Sequence, residues 1–340
     1  MPPERKDSMK KKIVIIILAV LVVLSAVVMY VFGERICRET GIGYDKIDVK
    51  SYSTDAFAVP GLREDFVPQG LCYVEDLSLY AVSGYVKGDN SRIYLVNDKT
   101  GEAKKLILKD FDLHAGGIAS YKDSVFVSAG GNENEGGHIY RISTDSLRKA
   151  KDGDTVSFDG KFKVPTRASA LYASDDMLFV AEFYEKRDYP SNKEHHQKGN
   201  KAWACGYKLP LTEDAKDGDL ITPDVLLSIP DKVQGLSVTD SGKVVFSTSY
   251  GRKNDSVLYI FAPYEEWDST TVKICEREVP LYITAKETRL LKTTMPTLSE
   301  GIDFHDGRLY ILYESGAKIY ADAKEITRHV WETDVEGMTK

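Results

Sequence analysis

A short phrase recurs five times along residues 45–340, and it narrows the fold more than any other feature of the chain. It reads Pro68-Gln69-Gly70-Leu71, Ala115-Gly116-Gly117-Ile118, Ala168-Ser169-Ala170-Leu171, Val233-Gln234-Gly235-Leu236 and Ser299-Glu300-Gly301-Ile302. Each phrase is followed by an apolar, strand-like segment: LYAVSGY, VFVSAGG, LFVAEFY, VVFSTSY and LYILYES. A third segment, usually with a Tyr, comes next as RIYLVN, HIYRIS, CGYKLP, VLYIFA and AKIYAD, and four units add a fourth: AKKLIL, GKFKVP, VLLSIP and TRLLKT. Turn-forming pairs such as Asp175-Asp176, Ser241-Gly242 and Asp306-Gly307 separate first from second segments, as tight hairpins require. Four short antiparallel strands per unit, repeated along one chain, describe an all-β fold, a β-propeller.

Five blades are expected. The last unit lacks a clear fourth strand, and residues 46–59 are an orphan strand region at the other end. Pairing it into the last blade would close the ring and remove an exposed sheet edge. Six blades are the alternative, if a degenerate blade lies within 255–298.

The amino end carries a different signal. Residues 13–33, IVIIILAVLVVLSAVVMYVFG, hold no charge and are long enough to cross a bilayer at about 1.5 Å per residue. The run passes straight into Glu34-Arg35 without a small-residue cleavage site, so it reads as an uncleaved signal anchor. Arg5, Lys6, Lys10, Lys11 and Lys12 precede it against Glu4 and Asp7, and this excess of positive charge places the amino end in the cytoplasm. The expected organisation is a basic cytoplasmic tail (1–12), a transmembrane helix (13–33), a tether (34–44) and an extracytoplasmic propeller (45–340). Localisation is then the cell membrane, single-pass.

The whole chain has a formal net charge of −7, which argues against nucleic acid as a partner, since that needs clustered Lys and Arg. Four cysteines without a CxxC pair support neither a disulfide framework nor a zinc knuckle. No GxSxG, HExxH, Walker A or GxGxxG occurs, so no serine-hydrolase, zincin or nucleotide site is marked.

In a propeller, loops entering the first strand and joining second to third open on one face of the central channel. Gln69, His114, Arg167, Gln234 and Glu300 lie just before or inside the phrases, and Tyr85, Glu182, Tyr184, Tyr250 and Glu314 end the second segments. Convergent polar groups at such a place are a site hypothesis. Gln69, Arg167, Tyr184, Gln234 and Tyr250 are candidate ligand-binding residues. Glu300 and Glu182 are candidate metal ligands, because a buried carboxylate needs a partner. His114 is a candidate proton shuttle. The insertion at 185–203, with His195-His196, reads as a surface loop, because adjacent side chains on extended chain diverge.

The phrases PQGL, VQGL and SEGI resemble the inner-strand motifs of the SMP-30/gluconolactonase-like and paraoxonase-like propellers. In that group an acidic or Asn residue before the Gly step points into the channel and binds a divalent cation, usually calcium. By position the resemblance implies that Gln69, Gln234 and Glu300 occupy ligand places. Gly116 and Ser169 depart from the pattern, the family's general base has no counterpart, and those relatives have six blades. A calcium-like divalent cation is the one cofactor this implies.

The leading expectation is a binding or sensor module for a small molecule, glycan or peptide on the channel face. The alternatives are a metal-dependent hydrolase of lactones or esters and a protein-interaction scaffold.

Overall fold

The computed structural model describes residues 3–40, 42–132, 134–174, 176–211 and 218–340. Asp175, of the first turn pair, falls outside these residues. The chain divides into two units, Met1–Lys46 and Ile47–Lys340. In the first, α1 runs unbroken over Pro3–Thr40. Within the uncharged run its side chains are described without a gap over residues 13–29, and among the described residues no helix is long and apolar enough to cross a membrane.

The second unit is a five-bladed propeller. Strand β1 (Ser53–Ala58) precedes the first blade, which is built from β2 (Phe66–Val74), β3 (Leu79–Val86), β4 (Asp89–Val96) and β5 (Ala103–Leu108). The second blade holds β6 (Ala115–Tyr121), β7 (Ser124–Asn132), β8 (Gly136–Ser143) and β10 (Gly160–Val164); between the last two, β9 (Thr155–Val156) crosses back to pair parallel with β5. The third is β11 (Ala170–Ala173), β12 (Met177–Ala181), β13 (Ala202–Lys208) and β14 (Val225–Ile229). The fourth is β15 (Val233–Val238), β16 (Val244–Thr248) and β17 (Ser256–Phe261), then, after the hairpin β18 (Asp268–Ile274) and β19 (Arg277–Ile283), β20 (Arg289–Met295). The last blade is β21 (Ser299–His305), β22 (Arg308–Tyr313) and β23 (His329–Thr333), completed by β1 on its outer edge.

That outer pairing closes the ring as the orphan segment suggested: Ser53 lies opposite Thr333 and Ala58 opposite His329. The expected five blades form, the six-bladed alternative does not, and one segment needs correction. No sixth blade forms within 255–298, because the hairpin β18–β19 adds parallel to β14 and widens the third blade instead. The segment AKIYAD is not the third strand of the last unit; Lys318–Tyr320 forms a 3-10 turn and the strand comes later, at His329–Thr333.

Alternation along each strand sends apolar side chains to both faces of a blade, and the blades stack on them. Five apolar clusters result, one per seam. Ile93 and Leu106 meet Ile118 and Val127; Phe126 and Ile139 meet Leu178 and Val180; Phe179 and Leu227 meet Leu236 and Phe246; Leu258 and Ile260 meet Ile302 and Ile311; Leu312 and Val330 meet Leu71 and Val82. Burying each such side chain contributes about 1.5–3 kcal/mol.

Candidate functional site

The repeated phrase is where the innermost strands crowd together. A Cβ on Gly70 would lie 2.6 Å from Ile118 N, one on Gly117 2.2 Å from Leu171 N, one on Gly235 2.8 Å from Ile302 N, and one on Gly301 2.6 Å from Leu71 N. Each glycine therefore admits the backbone of the next blade. Beside it the pairing slips: the register shifts between Pro68 and Gly70, Ala115 and Ile118, Val233 and Gly235, and Ser299 and Ile302. A bulge of this kind re-aims the side chain it frees. Gln69, Gly116, Gln234 and Glu300 sit at these slips, Ser169 takes the equivalent place just before β11, and all five line one cavity of about 600 Å³.

A second ring follows from strand periodicity. Ser83 lies opposite Gly70, Ala181 opposite Ala170 and Ser247 opposite Gly235. Two residues further along, on the same side of each strand, come Tyr85, Phe183 and Ser249, with Gly130 and Glu314 in the remaining blades, and these five also line the cavity. Seryl groups tie the blades beneath it: Ser83 Oγ donates to Gly116 O at 2.6 Å, and Ser247 Oγ lies 2.7 Å from Ser299 Oγ.

Of the residues singled out from sequence, Gln69, His114, Arg167, Gln234, Tyr250 and Glu300 line this cavity, as do Tyr85 and Glu314. Glu182 and Tyr184 do not. Each stands one residue out of step with Phe183, so the two-residue period turns them away. Tyr184 packs in the seam between the third and fourth blades. Glu182 is fully buried against His195, whose Nδ1 lies 2.8 Å from Glu182 Oε2. Trp203 stacks on that imidazole with centroids 4.1 Å apart and lends its backbone N–H to the same oxygen at 3.4 Å. His195 is thus buried inside the insertion, a correction to the surface-loop expectation. Tyr189, from the insertion, and Tyr320, the Tyr of AKIYAD held on a 3-10 turn and not on a strand, complete the cavity wall.

A hydrogen-bonded chain spans the cavity floor. Gln69 Nε2 donates to Glu314 Oε2 at 2.8 Å and to Pro68 O at 2.9 Å. Its Oε1 therefore faces His114 Nε2, 2.7 Å away, so that nitrogen carries the proton and donates. The His114 ring lies 4.1 Å from that of Tyr85 and opens to the cavity; desolvation pushes its pKa down to about 4, keeping the imidazole neutral. Gln234 Nε2 donates to Glu300 Oε1 at 2.9 Å.

Glu300 and Glu314 are close enough to influence each other's charge, and both are buried, at 2% and 5% exposure. Burial pushes the pKa of Glu314 up to about 7 and that of Glu300 well above the carboxylate range, where the neighbouring carboxylate raises it further. Glu314 has the better donors, Tyr320 and Gln69, and feels the Arg252 charge. Glu300 therefore keeps its proton to higher pH than Glu314.

These donors do not suit a cation such as calcium. Amide N–H groups, rather than carbonyl oxygens, face the two carboxyl groups. Among the described residues no group of three or more His, Cys, Asp or Glu side chains could hold a metal ion.

No family model and no curated protein matches the chain. Solved structures do. The PQQ-bound aldose sugar dehydrogenase of Streptomyces coelicolor is 14% identical with a TM-score of 0.44, each chain covered over 76%. A glucose dehydrogenase is 10% identical over 83% of this chain and 98% of its own, with a TM-score of 0.41. A catalytically inactive virginiamycin B lyase of Staphylococcus aureus, solved with quinupristin, is 12% identical over 82% and 98%, with a TM-score of 0.36.

Proposed function

We propose that the chain is a membrane-anchored binding or sensor propeller whose axial cavity takes a small organic molecule. One observation carries this reading: two rings of equivalent positions, one pair from each blade, converge on a single cavity of about 600 Å³. That volume falls within the roughly 300–1,000 Å³ of small-molecule sites. Its wall mixes aromatic rings (Tyr85, Phe183, Tyr189, Tyr250, Tyr320) with Gln69, Gln234, His114 and the carboxyl pair. A hydrolase resembling SMP-30 would need a cation on these positions, and the donors do not suit one.

The anchor is the uncharged run 13–33, with the basic residues before it. Its described side chains over residues 13–29 are exposed along α1, Ile13 at 51% and Val22 at 66%. A cytoplasmic amino end would leave the propeller on the far side of the membrane.

Both parts are testable on the full chain. Alkaline extraction should leave the intact protein in the membrane fraction, and a shortened, released form would overturn the anchor. For the cavity, unfolding in detergent should be followed against a panel of neutral, cationic and anionic organic molecules. A binder raises the midpoint by linkage, and Tyr250→Ala should reduce the shift. A panel without any shift would overturn the binding reading.

A further inference from the structure

Resting on that reading, we propose that the occupant of the cavity is an organic cation, a protonated amine, seated on the Glu300–Glu314 pair with its carbon skeleton against Tyr85, Tyr250 and Tyr320.

The pair is what the cavity is missing a partner for. Two carboxyl groups, both nearly excluded from solvent, face each other on the cavity floor, and the pair takes on negative charge as pH rises through about 7. Buried charges in proteins are paired. Yet among the described residues no Lys, Arg or His stands within ion-pair distance of either carboxyl group; the ion pairs that do form all involve other acids. Their partners in the floor are neutral: Gln69 and Tyr320 on Glu314, Gln234 on Glu300. An ammonium group entering the cavity would supply the missing charge.

The positive groups facing the pair do not fill that role. Arg252 Nη1 bonds Asp322 at 2.8 Å and its guanidinium lies 4.9 Å from the Tyr320 ring. Arg167 donates to Gly131 O at 2.8 Å and lies 5.3 Å from the Tyr189 ring. His114 is neutral. Two tyrosine faces of this cavity therefore already receive cations, the arrangement by which aromatic rings hold ammonium groups.

A second observation is independent of the carboxyl groups. Ser249, at 1% exposure, lines the cavity, and among the described residues its Oγ has no hydrogen-bond partner. A buried hydroxyl left unpaired costs free energy, and an ammonium N–H would satisfy it.

Binding then has a stoichiometry. An ammonium ion on the pair favours the doubly ionised form, so the protons that Glu300 and Glu314 still hold at the working pH leave for solvent as the amine is taken up.

The test uses three probes with the same ring: tyramine (cation), 4-ethylphenol (neutral) and 4-hydroxyphenylacetate (anion), titrated calorimetrically into the full chain in detergent. Tyramine alone should bind, more tightly at pH 8 than at pH 6. Titrations in two buffers of different ionisation enthalpy should show proton release. Glu314→Gln and Glu300→Gln, each near-isosteric, should weaken binding at least tenfold. Tyramine binding that is equal in both variants and wild type, or that does not depend on pH, overturns the proposal. Binding of the neutral or anionic probe alone overturns the cation while leaving a binding cavity. If these probes and the wider panel all fail to bind, the cavity reading falls with it.

Discussion

Gln69 donates its Nε2 hydrogen to Glu314 Oε2 at 2.8 Å, a bond from the first blade to the last made across the cavity floor. The same amide, held in that orientation, presents Oε1 to His114. Gln69→Leu removes both contacts at once and leaves a buried carboxyl group and an imidazole N–H short of partners. Such a loss costs about 1–3 kcal/mol. The midpoint of denaturant unfolding should fall accordingly; an unchanged midpoint would show that this bond adds nothing to closure.

The carboxyl pair makes stability depend on pH in a direction opposite to that of ordinary salt-bridged acids. Glu314 titrates near pH 7 when folded, against a usual value of 4.5. Between those values the folded chain holds the proton and the unfolded chain does not. Stability contributed by this group is therefore complete below about pH 4.5 and lost as pH rises through 7. Its slope is at most about 1.4 kcal/mol per pH unit for each proton. The double variant Glu300→Gln, Glu314→Gln should flatten that part of the profile and unfold at higher temperature than wild type at pH 8. Taking the difference between the two proteins cancels every other titrating group, and a difference that is constant from pH 5 to 8 would disprove the raised carboxyl pKa.

The repeat glycines predict a contrast between two alanines. At Gly301 a new Cβ would meet Leu71 N at 2.6 Å and Gly70 Cα at 2.9 Å, both backbone of the next blade. Neither can retreat without opening the seam. At Gly160, on the outer strand β10, the nearest atom is the Arg141 side chain at 3.4 Å, which can swing aside. Gly301→Ala should lower the thermal midpoint strongly, and Gly160→Ala should leave it nearly unchanged or raise it slightly. Equal effects would mean that the inner strands do not set the spacing of the blades.

How much of this can be read from the sequence follows from which features repeat. The glycine and the residue before it recur because five seams pose the same steric problem, so Gln69, Gln234 and Glu300 are visible as one ring. The third blade obscures its own member, since Ser169 precedes the strand instead of sitting in a bulge. Glu182 fails by a single position: the segment LFVAEFY matches its counterparts in pattern, but only the register Ala170 to Ala181 shows that Phe183 faces inward. Tyr189 comes from an insertion that obeys no period, and Tyr320 is marked only as a strand Tyr, whereas it reaches the cavity from a 3-10 turn. The last blade's third strand is misplaced for a related reason. AKIYAD has the Tyr of its counterparts, whereas His329–Thr333 is separated from β22 by a long irregular connection.

Glu182 offers the sharpest separation between cavity and scaffold. Its carboxyl group is buried against His195 and under Trp203, beside the insertion of the third blade, and does not line the cavity. Glu182→Leu would leave His195 Nδ1 without its partner and expose the Trp203 backbone N–H to an apolar neighbour. The expected cost is about 1–3 kcal/mol, seen as a lower unfolding midpoint. Glu182→Gln keeps an oxygen for the imidazole and should recover most of that loss. Affinity for any molecule that binds the cavity should be the same in Glu182→Gln as in wild type. A tenfold loss of affinity in that folded variant would make Glu182 part of the site after all.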